Sequence, residues 1–101
     1  MSLAQLEYFV AVAEEGHVGR AATRLHVSQP PLSRQIKNLE AELGAPLFER
    51  TPRGMKLLPA GHTLLVHARR ILAELNAVKL SFAQASFTSG TSVGDDAPEA
   101  P

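Results

Sequence analysis

Gln29, Ser33, Arg34 and Lys37 are the residues of this chain whose types and spacing offer chemistry. An amide, a hydroxyl and two cations can hydrogen-bond base edges and pair with phosphates. At about 100° per residue, Pro30, Ser33, Arg34 and Lys37 fall on one side of a helix, with Gln29 at its exposed N-terminal end. Leu32, Ile36, Leu39 and Leu43 recur on the opposite side at i, i+4, i+7 and i+11. They lie within about 60° of one another and form one apolar face. Residues 27–44 therefore read as an amphipathic helix whose polar side can enter the major groove of DNA. The same pattern also fits the solvated outer face of an ordinary core helix.

Other chemistries lack their residues. The chain has no cysteine, which excludes disulfides and thiolate metal sites. It has no glycine-rich phosphate loop, no carboxylate pair placed in a cleft and no nucleophile–base pair with an orienting third group, so it is not read as an enzyme. His62 and His67 are five residues apart, about 140° around a helix, and do not make a metal pair. His17 and His26 have no ligand partners at useful spacing and read as surface residues. No metal or cofactor is expected. The formal net charge is +0, but the charges are unevenly spread. Between Gly16 and Asn38 stand Arg20, Arg24, Arg34 and Lys37 without one acid. Such a local basic patch is the footprint of a nucleic-acid surface. The absence of a signal peptide and of a long apolar run points to the cytoplasm and away from membranes.

The 101 residues are enough for one small domain with a modest core. Leu3–Glu15 reads as a helix with Leu3, Leu6, Phe9, Val10 and Ala13 on one side, Ser2 able to cap it and Gly16 ending it. Val18–Leu25 reads as a short second helix with Ala21, Ala22 and Leu25 inward. His26 and Val27 leave room only for a tight connection to the third. In the third, Ser28, Pro30 and Pro31 mark the start and Gly44 the stop. Helix, short helix, tight turn and longer helix is the helix-turn-helix order, in which the second helix of the pair reads the groove. Residues 47–50 and 55–58 then read as two short strands around a turn at 51–54, with Pro52 and Gly54 at the turn positions that favour them. A basic hairpin after a helix-turn-helix is a wing, with Arg53 at its tip for the DNA backbone or a minor groove. A solvated hairpin charge is the plainer alternative.

Pro59, Ala60 and Gly61 open a helix that runs to about residue 85. Leu64, Ala68, Ile71, Leu75, Val78, Phe82 and Ala85 alternate in steps of four and three, an a/d heptad seam that Leu65 and Leu72 widen. A helix this long has too little of its own chain to pack against, so the seam is read as a dimer contact; packing back onto the first helix is the alternative. From about Phe87 the chain is small, polar and acidic, and reads as a disordered tail or linker stub. The expected fold is mainly α: a winged helix-turn-helix over residues 1–58, with a small two-stranded wing, a linker and dimerisation helix over 59–86, and a tail over 87–101.

The run R-A-A-T-R-L-H-V-S-Q-P-P-L-S-R-Q-I-K-N-L-E-A-E-L-G-A-P-L-F-E-R-T-P-R-G, residues 20–54, resembles the N-terminal domain of LysR-type transcriptional regulators. The opening L-E-Y-F-V-A-V-A-E-E-G, residues 6–16, is similar too. The resemblance implies a winged helix-turn-helix with a long linker helix, paired antiparallel in a homodimer on an interrupted inverted repeat at a promoter. By position in the motif it makes Gln29, Pro30, Ser33 and Arg34 groove readers and Arg53 the wing contact. Three positions depart from the family pattern: Pro31, where an N–H is usual; His17, where a serine cap is usual; and Leu58-Pro59 before the linker helix. With Ser28 as cap, its partners would be two prolines, so the cap bond has no donor and the helix can instead begin at Gln29. Family members continue into a ligand-sensing domain; with that domain missing, no small-molecule site is expected here. Two functions follow: sequence-specific DNA binding in transcription control, or a short interaction protein that pairs with full-length relatives through the linker helix and blocks their assembly.

Overall fold

The computed structural model describes residues 1–85; the acidic tail expected over 87–101 and the last residue of the expected linker helix lie outside them. The order is α1 (Leu3–Glu15), α2 (Val18–Leu25), α3 (Gln29–Leu43), β1 (Phe48–Thr51), β2 (Gly54–Leu57) and α4 (Pro59–Ala85). Local signals set most of these limits. The Ser2 hydroxyl accepts the Gln5 N–H at 3.1 Å and the Gln5 side chain accepts the Ser2 N–H at 3.2 Å, which satisfies two donors of the first turn of α1. Gly16 and Gly44 end α1 and α3 in the left-handed region, at φ 67° and 71°. Ser28 precedes α3 without a side-chain cap bond, and the helix begins at Gln29, as the two prolines require.

α1 is the hub. Leu6, Phe9, Val10, Ala11 and Val12 are all buried, because α2, α3 and α4 cover α1 on several sides. Its burial therefore exceeds the single stripe expected from sequence, and Leu3, expected inside, is exposed at the start. Val18, Ala21 and Ala22 of α2, Leu32, Ile36 and Leu39 of α3, Leu47 and Phe48 at the root of the wing, and Ala68 of α4 complete the core. Leu43 extends the apolar face of α3 past the core and is exposed.

β1 and β2 form an antiparallel hairpin in the register Phe48–Leu57, Glu49–Lys56, Arg50–Met55 and Thr51–Gly54. It is one residue out of step with the expected strands and leaves Pro52 and Arg53 at the tip. Phe48 stacks tilted on Phe9, ring centres 5.4 Å apart, which joins the wing to the hub. Two glycines permit close approaches. Gly54 has φ 134°, and a Cβ there would collide with the Gly16 carbonyl oxygen; the next residue, Met55, donates its N–H to that oxygen at 3.0 Å. A Cβ at Gly61 would collide with the Leu47 carbonyl oxygen, so the first turn of α4 lies directly on the root of β1.

The seam of α4 is divided. Ala68 is 0% exposed within the chain's own core, and Leu64, Leu65 and Leu72 pack partly against it. This corrects the sequence reading of Ala68 as a residue available to a partner: its small side chain lets α4 close onto α1. Beyond it Ile71 and Val78 are 43% and 47% exposed, and Phe82 also faces outward. No helix among the described residues is long and apolar enough to cross a membrane.

Candidate nucleic-acid interface

The polar side of α3 faces solvent with Gln29, Pro30, Arg34 and Lys37 exposed and Ser33 half-buried. The wing stands beside it. At the tip, the Thr51 hydroxyl accepts the Arg53 N–H and donates to the Gly54 carbonyl, both at 3.2 Å, so the turn is braced from within and the Arg53 side chain is left outside. Strand period two puts Arg50 and Met55 on the side turned to α3, and Glu49 and Lys56 on the other. Arg50 lines both clefts between wing and helices. One is bordered by Ser33, Lys37 and Glu40; the other, about 390 Å³, by His17, Gly19, Gln29 and Arg53.

The basic patch read from sequence separates into two kinds of cation. Arg20 and Arg24 are held by carboxylates. Arg24 pairs with Glu14 at 2.8 Å and with Glu15 at 3.3 Å; Arg20 lies 3.9 Å from the Glu15 carboxylate and donates to the Glu15 carbonyl at 2.7 Å. Glu14 also binds Arg69 of α4 at 3.1 Å, so one carboxylate ties α1, α2 and α4. Its hydrogen bond from Arg24, aided by Arg69 and opposed by partial burial, holds the Glu14 carboxyl below the usual carboxylate value; the same bond raises the Arg24 guanidinium. Arg34, Lys37, Arg50 and Arg53, by contrast, have no carboxylate within ion-pair distance among the described residues. These four lie on the surface formed by α3 and the wing.

Three contributions were not foreseen. Arg50 is a wing-strand residue that alternation in β1 places across from Met55 and toward α3. Glu40 Oε2 accepts the N–H groups of Leu47 and Phe48, at 2.7 and 3.3 Å, and so fixes the start of the wing from the buried side of α3. His17 caps α2: its Nδ1 accepts the Arg20 N–H at 3.2 Å, doing with an imidazole what serine does elsewhere. His26 takes the left-handed conformation, φ 58°, that ends α2. No group of three ligating side chains among the described residues is placed to hold a metal ion.

The model of the bacterial regulatory helix-turn-helix protein, lysR family, matches residues 3–62, more than half of the sequence. The chain belongs to the LysR family. Among LysR-family proteins it is similar to the HTH-type transcriptional regulator ClcR of Pseudomonas putida, 61% identical over 72 residues, which cover 71% of this chain and 24% of ClcR. The chain thus spans about a quarter of the length of the curated relatives it matches first. Two solved structures match almost along their whole length. The CbnR_DBD–DNA complex has a TM-score of 0.75 at 52% identity, covering 85% of this chain and 98% of that one. The BenM_DBD/benA site 1 DNA complex has a TM-score of 0.78 at 44% identity, covering 84% and 99%. The winged helix-turn-helix with a long following helix is the LysR arrangement, and the relatives are transcriptional regulators rather than enzymes.

Proposed function

We propose that residues 1–58 are the DNA-binding unit of a LysR-type transcriptional regulator, and that 59–86 join two copies as a homodimer on an interrupted inverted repeat. The observation that carries this is the segregation of charge. Arg34, Lys37, Arg50 and Arg53 share one surface and lack carboxylate partners among the described residues, whereas Arg20, Arg24 and Arg69, gathered at the end of α1, are held by Glu14 and Glu15. Close relatives of this fold bind DNA in the two complexes described above. In this reading α3 lies in the major groove. Gln29 and Arg34 reach base edges from its exposed start, Pro30 and Ser33 pack beside them, and Lys37 takes a phosphate. Arg53 enters the flanking groove from the wing. Arg20 and Arg24, already held by Glu14 and Glu15, form the outer margin of the surface and do not read bases. Leu64 and, further along, Ile71, Leu75, Val78 and Phe82 supply the dimer contact; Ala68 serves its own domain.

Selection of binding sites from random duplexes, followed by titration of Gln29→Ala and Arg34→Ala, tests the reading. Either change should cost about 1–3 kcal/mol on the selected site and much less on random DNA. Equal losses on both would demote the residue to a phosphate contact, and failure to select any site would refute sequence-specific binding.

A further inference from the structure

We propose that the cleft between the wing and the starts of α2 and α3 seats one phosphodiester of the DNA backbone, with His17 as a neutral donor and Arg50 as the countercharge. The inference rests on the DNA-binding reading and adds a site to it. Adjacent grooves of a duplex are separated by one sugar–phosphate backbone. If α3 occupies the major groove and the wing tip the next minor groove, whatever lies between them faces that backbone. What lies between them is this cleft.

Its lining suits a phosphate. No carboxylate of the described residues borders it, and Arg50 and Arg53 line it from the wing. The cap of α2 fixes the tautomer of the neutral His17 ring. Because Nδ1 accepts the Arg20 N–H, it carries no proton of its own; in the neutral ring the proton is then on Nε2. Nε2–H is a donor without a protein acceptor among the described residues. Glu15, the acid on the other side of His17, is engaged by Arg20 and Arg24. Gly19 makes the arrangement possible: a Cβ there would stand 2.8 Å from His17 Cε1 and 3.3 Å from Gln29 Nε2, in the space where both side chains meet the cleft. A serine cap would satisfy the helix equally well and would be too short to reach outward. The imidazole does both tasks with its two nitrogens.

The two components have different signatures. Arg50 releases a counterion when it binds phosphate and a neutral imidazole does not. On a short duplex of arbitrary sequence at about pH 8, above the ordinary imidazole range, Arg50→Gln should weaken binding and reduce the salt slope by about 0.9. His17→Ser, which keeps a cap, should weaken binding about tenfold on every sequence with the slope unchanged. His17→Asp should bind more weakly still while melting no lower than the parent, because aspartate is a good cap and a repellent of phosphate. Binding and stability moving in opposite directions excludes a purely structural role. The seat is overturned if His17→Ser binds like the parent, or if Arg50→Gln weakens binding without changing the slope. Inorganic phosphate, exchanged for chloride at equal ionic strength, should compete with the duplex for the seat in the parent and less so in His17→Ser; equal competition in both also overturns it. A parent that shows no salt-dependent binding would bring down the DNA reading itself, a result distinct from a parent that binds and variants that match it.

Discussion

Replacing Ile71 with aspartate tests the two tasks proposed for α4. Ile71 and Val78 are 43% and 47% exposed, so folding has given them about half of the ~1.5–3 kcal/mol that full burial of such side chains yields. Pairing with a second copy would recover the remainder, about 1 kcal/mol per side chain, and the stripe of Ile71, Leu75, Val78 and Phe82 on two copies would supply several. In the isolated chain Ile71→Asp should cost no more than about 1 kcal/mol, because the position is already wet. In the pair it introduces two carboxylates into an apolar contact, at several kcal/mol each, more than the stripe contributes. The variant should therefore be a folded monomer. Sedimentation across a dilution series, with circular dichroism for folding, reads both halves of the claim. Affinity for a duplex with two half-sites should fall toward that for a single half-site, a loss of about 10²–10⁴-fold. A variant that stays a tight dimer would remove this stripe from the contact. A variant that unfolds would mean that α4 belongs to its own domain along its whole length.

Glu40→Ala strands the Leu47 and Phe48 N–H groups and should cost about 2 kcal/mol, or about 10 °C in melting temperature, with Glu40→Gln costing less; an unchanged melt would show that water replaces the carboxylate. Gly54→Ala forces a side chain into φ 134° and against the Gly16 carbonyl; a loss of about 1–3 kcal/mol and faster hydrogen exchange at the Met55 N–H are expected, with exchange in α1 little altered. Glu14 has a lowered folded-state pKa, so its contribution is full above the unfolded carboxylate value of 4.5 and is lost as pH falls through the lower folded value. Glu14→Gln should flatten the stability profile in that acid window, by less than about 1 kcal/mol for so exposed a pair. Parallel profiles for parent and variant would contradict the assignment.

Features set within a few residues were legible in the sequence. Ser2, Gly16, Gly44 and the paired prolines after Ser28 act on their own turns, and the helices start and stop where they indicate. The heptad of α4 was half legible. A repeat of apolar residues records that something covers them, and cannot say whether it is the same chain. Small size did not separate the two alanines of the seam: Ala68 is buried against its own core and Ala85 is exposed. The charges were legible by type and not by pairing. Arg24 and Arg69 meet Glu14 only because three helices converge, so a count of cations between Gly16 and Asn38 overstated what is free. His17 looked like a departure from a serine cap because the capping capacity of Nδ1 is invisible in a residue name.

The wing is fastened at both ends. Met55 donates to Gly16 at 3.0 Å, Leu58 donates to Leu47 at 2.9 Å, and the two bare glycines leave no slack between hairpin, α1 and α4. A loose arm would sample many offsets and lose that freedom on contact; a hairpin held this way has little left to lose. It behaves as the fixed jaw of a gauge whose other jaw is α3. Such a gauge tolerates substitutions in the stretch between its jaws and does not tolerate a change in the length of that stretch. One base pair added there turns the outer contact about a tenth of a revolution out of reach. On the proposed DNA-binding reading, the molecule would measure a distance along DNA, even at positions whose bases no side chain touches.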